Sequence, residues 1–247
     1  MPAVIASGEL ATAWLRTHAL GITAAHRCGN AEAEARLRCQ LGRAYLDLGH
    51  FDAAEQACSD ARDLARSTGD RLNESVAVDQ LGMAAQGLGD LDKAVAYFTE
   101  SLRIEEELGI DRGVALRHRR IGEVLLQAGR FDDADRHLRV AREMFADMGD
   151  REGAAAVEVA LARLDAHVGS PAAALQRLQR VRESRSAGYE ADVLMALADV
   201  ARIAGDLDAA RNYARQAIQL CEPVGGLRLD RAKAWLASLA TADFDRS

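Results

Sequence analysis

Apolar residues recur along this chain at a spacing of forty. Leu41, Leu81, Ile121 and Leu161 stand forty apart, each followed by a small residue: Gly42, Gly82, Gly122 and Ala162. Thirteen residues after each Leu or Ile comes an alanine: Ala54, Ala94, Ala134 and Ala174. The stretches around them are rich in Ala, Leu, Arg and Glu, which are strong helix formers. A glycine closes each stretch, every twenty residues from Gly29 to Gly169. Glycine enters the left-handed conformation without a Cβ penalty, so it ends a helix. Each forty-residue period therefore predicts two helices of about 16–17 residues, roughly 25 Å long. A small residue at a fixed offset in each helix lets the two backbones approach, as a packed hairpin requires.

The turn inside each hairpin repeats as well, in Gly49-His50-Phe51-Asp52, Gly89-Asp90-Leu91-Asp92 and Gly129-Arg130-Phe131-Asp132. A fifth copy arrives four residues early, with Leu197-Ala198, Gly205-Asp206-Leu207-Asp208 and Ala210. These residues resemble the tetratricopeptide repeats, whose code is a large apolar residue and Gly or Ala in helix A, then Ala, a bulky residue and Ala in helix B. The first repeat supplies Leu41, Gly42, Tyr45, Ala54 and Ala61, with Cys58 in the bulky slot. The second supplies Leu81, Gly82, Ala94 and Phe98; the third Ile121, Gly122, Ala134, Leu138 and Ala141. The fifth supplies Leu197, Ala198, Ala210 and Ala217, and the fourth departs most, with Asp165 in a normally apolar slot. A forty-residue period also fits HEAT repeats, but the Gly/Ala code does not. The resemblance covers nearly the whole chain. Its forty-residue variant looks like the C-terminal arrays of actinobacterial signalling and transcriptional regulators that carry a STAND or NB-ARC ATPase upstream. It implies an all-α fold, a right-handed α-solenoid (a superhelix) of antiparallel hairpins with about twelve helices.

Taken in order, residues 1–8 read as disordered, and a helix from about Glu9 to Arg27 falls in helix-B phase without a helix-A partner. Trp14 stands in that helix where later ones place alanine, and His18 where they place a bulky residue. Residues 1–29 are thus a half-repeat or capping helix. Five hairpins follow at about 31–68, 71–108, 111–148, 151–187 and 190–222, spanning 30–226. A C-terminal capping helix, about Arg228 to Thr241, occupies 227–247 with a frayed tail from Ala242. Leu229, Ala232, Trp235, Leu236 and Leu239 share one of its faces, as a cap on a helical stack requires.

Composition narrows the function. A net charge of −7 argues against a nucleic-acid or anionic-membrane binder. No apolar run approaches the 18 or so residues of a membrane span, and residues 1–10 lack a basic leader, so a cytoplasmic location is expected. Cys28, Cys39, Cys58 and Cys221 form no CxxC pair and read as buried free thiols on helices. The six histidines never fall four apart, which argues against a metal site, and no phosphate loop or nucleophile elbow is present. Glu105-Glu106-Glu107 and Arg117-His118-Arg119-Arg120 both read as solvated helix faces. Neither an enzyme nor a cofactor is implied.

What remains is binding. In a tetratricopeptide array the A helices line the concave surface, and the resemblance places Arg36, Cys39, Arg43, Val76, Asp79 and Met83 on it. Leu116, Arg119, Glu123, Val159, Arg163, Asp192, Met195 and Asp199 follow, with Gln40, Gln80 and Arg120 beside them. The groove so drawn is basic in its first four repeats, which suits an acidic peptide or acidic partner face. The alternative is that these arginines pair with Asp79, Glu123 and neighbouring acids and hold the stack together. Peptide-binding relatives often carry Asn beside the Leu-Gly pair, where this chain has Gln40, Gln80, Arg120, Ala160 and Ala196. The expectation is a non-enzymatic interaction module, the sensor or scaffold part of a bacterial regulator, with a protein or peptide in its groove. One alternative is a sensor of a small ligand or peptide pheromone that changes superhelical shape. Another is homodimerisation through Trp14 and Leu15, or docking of that first helix to an upstream ATPase domain.

Overall fold

The computed structural model describes residues 8–183, 189–223 and 225–244. Among them the chain forms helices and turns only, twelve helices in all. Two compact units divide at Gly129 and Arg130.

The first unit holds α1 (Gly8–Arg27), α2 (Ala31–Asp47), α3 (Phe51–Thr68), α4 (Arg71–Leu88), α5 (Leu91–Leu108) and α6 (Asp111–Gln127). Consecutive helices pack on one another, and α2 also packs on α4, so one helix A lies beside the next. Boundaries come from the turn chemistry. Gly69 and Gly89 end α3 and α4 with φ of 73° and 84°. The next residue, Asp70 or Asp90, then accepts the backbone N–H three positions on, at 3.0 and 3.1 Å, as an N-cap does. Asn30 caps α2 in the same way.

The Gly/Ala code has a direct steric cause. A Cβ on Gly42 would collide with the Cys58 sulfur, and one on Gly82 would stand 2.6 Å from the Phe98 ring. The bulky residue of helix B thus seats itself on the bare backbone of helix A. Phe98, Leu81, Ile104, Ile121, Val78 and Val124 are fully buried in this unit.

The second unit holds α7 (Phe131–Asp147), α8 (Arg151–His167), α9 (Pro171–Glu183), α10 (Glu190–Ile203), α11 (Leu207–Cys221) and α12 (Leu227–Phe244). Its core gathers Leu178, Val193, Val200, Ala162 and Ala196. Helix α12 packs on α11, with Trp235, Leu236 and Leu239 against Ala201 and Ala210.

Several expectations change. Helix α1 already includes Gly8, and α12 runs on to Phe244, so residues 242–244 are helical rather than frayed. The disorder expected for residues 1–7 and the tail at 245–247 lie outside the described residues, as does the end of the fourth hairpin at 184–187. Cys39, Cys58 and Cys221 are buried, but Cys28 is exposed, because it sits in the turn after α1. Burial pushes the Cys39 thiol up to about 12, and Cys58 higher still.

Candidate functional site

Arg36, Gln40 and Arg43 are exposed on α2. Arg43 donates to Asp47 one turn on, at 3.0 Å. Met83 of α4 is half-buried beside Tyr45, Phe51 and Leu46. On α6, Arg119 donates to Glu123 at 2.5 Å, and both stay partly open. Asp79 and Gln80 are buried instead. In the second unit Arg163 donates to Asp199 at 3.1 Å, and the Trp235 indole N–H donates to the same carboxylate at 2.8 Å. The helix-A arginines therefore face acids that largely neutralise them.

Trp14 and Leu15 are half-buried on α1. Trp14 stacks on His18 with ring centroids 3.5 Å apart, and His18 reaches Gln40 at 3.0 Å. The His18–Gln40 contact belongs to a series. Forty residues on, the Cys58 thiol donates to Gln80 at 3.2 Å, and forty further the Arg120 guanidinium lies 5.7 Å over the Phe98 ring. The slot compared with the ligand-holding Asn of peptide-binding relatives thus packs on the preceding helix B.

The largest departure lies behind that face. Arg117, expected on a solvated surface, has a side chain only 7% exposed. It donates to Asp79 at 2.5 Å, to Glu105 at 2.9 Å and to Ser101 at 2.9 Å. Ser75 donates to the same Glu105 oxygen at 2.8 Å. Glu105, also expected in solvent, is buried with its other oxygen unbonded, against Gly113, where any Cβ would collide with it. Both corrections share one cause. The forty-residue register turns positions 105 and 117 inward between α4, α5 and α6, where one guanidinium holds two carboxylates. The signal in the sequence was Ser75 and Ser101, small polar residues inside an apolar stripe. Arg120 lies 3.2 Å from Asp79. Burial pulls its guanidinium below the ordinary arginine value, with Arg119 and Arg117 adding repulsion and Asp79 opposing the change.

Among the described residues there is no cluster of three or more His, Cys, Asp or Glu side chains that could hold a metal ion, and no helix is long and apolar enough to cross a membrane.

Family models for the tetratricopeptide repeat match residues 32–107 and 191–223. Over these residues the chain carries tetratricopeptide repeats. Its fold class is the all-α solenoid of helix hairpins. The regulatory protein AfsR of Streptomyces griseus is 28% identical to the array over 205 residues, 82% of this chain. The array spans only 20% of that protein's length. A Rap protein complexed with competence and sporulation factor matches with a TM-score of 0.69 and 16% identity, over 85% of the array and 58% of the Rap chain. A signal-transduction ATPase with numerous domains from Pyrococcus horikoshii, which has a tetratricopeptide repeat sensor, matches with a TM-score of 0.59 and 14% identity. That match covers 86% of the array and 34% of the ATPase chain. These two structures show the shared fold of the tetratricopeptide array.

Proposed function

We propose that this chain is a non-enzymatic binding module, the sensor or scaffold part of a longer bacterial signalling or transcriptional regulator working in the cytoplasm. It takes a protein or peptide on the helix-A face, with α1 and α12 as its terminal caps. The observation that carries this reading is the open polar face of α2 and α6. Arg36, Gln40 and Arg43 are exposed and Arg119, Arg120 and Glu123 half-open. The likeness to AfsR, over a fifth of its length, supports a regulator as the parent. The Rap structure supports a peptide as the ligand, since that protein is complexed with competence and sporulation factor. Because most helix-A arginines already have acidic neighbours, shape and hydrogen bonding select the ligand more than net charge does.

A photo-crosslinking residue at position 43 or 83, compared with positions 96 and 99 on α5, tests this. Specific adducts from 43 and 83, competed away by unlabelled chain, support it. Adducts from 96 and 99 alone would place the binding surface on the helix-B side and sink the proposal.

A further inference from the structure

Asp79 serves two arginines in different surroundings. Arg117 of α6 reaches it from the buried side at 2.5 Å. Arg120, on the helix-A face and 19% exposed, stands 3.2 Å from the same Oδ1 atom. Arg117 also holds Glu105, whose side chain is 6% exposed and whose second oxygen has no hydrogen bond. Four charges thus form one chain, Arg120 to Asp79 to Arg117 to Glu105, running from the open face to the α5–α6 contact. Two are positive and two negative, so the cluster is neutral only while all four are present.

Neutrality matters because a buried charge without a counter-charge is strongly disfavoured, and screening by solvent is weak there. Arg120 has no hydrogen bond at Nε and rests on the apolar Phe98 ring, so its tie to Asp79 is electrostatic only. It is the most exposed member of the chain. Drawing Arg120 toward a ligand leaves Arg117 alone with two carboxylates. One negative charge is then in excess at the α5–α6 contact, where Glu105 occupies the space that a Cβ on Gly113 would fill.

We propose that the Arg120–Asp79–Arg117–Glu105 chain is a built-in relay that reports occupation of the helix-A face as a loosening of the α5–α6 packing. This rests on the helix-A face being the binding surface, but it is tested on the chain alone. It requires an energetic coupling between Arg120 and Glu105, which do not touch.

The experiment is a double-mutant cycle of Arg120→Gln and Glu105→Gln, read by hydrogen exchange of the α5 and α6 amides. In the wild-type background E105Q leaves the cluster with one excess positive charge, and exchange in α5 and α6 should rise at least tenfold. In the R120Q background the same change restores neutrality, and the rise should fall below threefold. Arg120→Lys keeps the charge and should leave the tenfold effect in place. An equal effect of E105Q in all three backgrounds overturns the relay. Should R120Q fail to fold, Asp79→Asn replaces it with the opposite sign. E105Q then leaves two excess positive charges and must accelerate exchange more than tenfold, a smaller effect contradicting the proposal. Failure of this cycle leaves the crosslinking test of the binding face untouched, and the reverse also holds.

Discussion

Phe98 of α5 rests on the bare backbone of Gly82 in α4, where an added Cβ would stand 2.6 Å from the ring. The pair shows why a solenoid of this type needs glycine inside a helix, where glycine is otherwise about 1 kcal/mol worse than alanine. Gly82→Ala gains that propensity and forces the ring out of its seat, an overpacking cost of about 1–3 kcal/mol. We predict a net loss of stability from G82A and recovery of most of it when Phe98→Leu is added. Urea unfolding of the two single variants and the double variant measures this, and additive losses would contradict the steric account.

Arg117 is the most consequential buried charge of the first unit. Arg117→Met removes the cation and leaves Asp79 and Glu105 facing each other in the interior. Breaking a buried pair in this way costs about 3–5 kcal/mol. The expected outcome is a large drop in the urea midpoint together with fast amide exchange in α4 to α6. A change within 1 kcal/mol would show that solvent reaches the cluster.

Acid should weaken the array through Glu74. Burial raises its carboxyl pKa, but hydrogen bonds from Arg66 and Arg71 outweigh burial and hold it below the ordinary value of 4.5. A carboxylate depressed by folding contributes stability above its unfolded pKa and loses it as pH falls through the folded pKa. Glu34, held by Arg38 and His26, behaves alike. Melting curves between pH 7 and 3 should show the wild type losing stability below about pH 4.5. Glu74→Gln should lose less over the same range, and parallel curves would show that the ion pairs contribute nothing.

The thiols should divide by position. Cys28 is exposed in a turn, whereas Cys39 is buried with its thiol pushed up to about 12. Because the thiolate is the reactive form, a maleimide should label Cys28 alone in the native protein. Cys39, Cys58 and Cys221 should follow only in denaturant, as mass spectrometry of the labelled peptides would report. Labelling of Cys39 at the rate of Cys28 would contradict the packing of α2 on α3.

The fold was legible because its rules are local. Gly69 with Asp70, and Gly89 with Asp90, announce a helix end and the next helix start within two residues. Gly42 and Gly82 then announce which faces touch. The candidate helix-A face was legible only in part. Arg36 and Arg43 are exposed, but Asp79 and Gln80 face inward, and Gln80 pairs with Cys58. Arg117 and Glu105 were misread because a charge run looks alike on either face of a helix. Which face it occupies depends on partners 38 or 12 residues away, and in the sequence only the register and the small polar Ser75 and Ser101 point to it. Asp165, an apparent defect in the fourth repeat, accepts a hydrogen bond from Arg177 at 2.9 Å, which only the packed α8–α9 pair reveals.

The most direct test of the binding account is a hydrogen-exchange footprint of the chain with and without the partner captured by crosslinking from position 43 or 83. Slower exchange concentrated in α2 and α4, with α3 unchanged and no protection gained in α5, is the predicted result, and the relay adds faster exchange at the α5–α6 contact. Protection confined to α3 and α5, or to α1 alone, would contradict it and move the binding surface off the helix-A face.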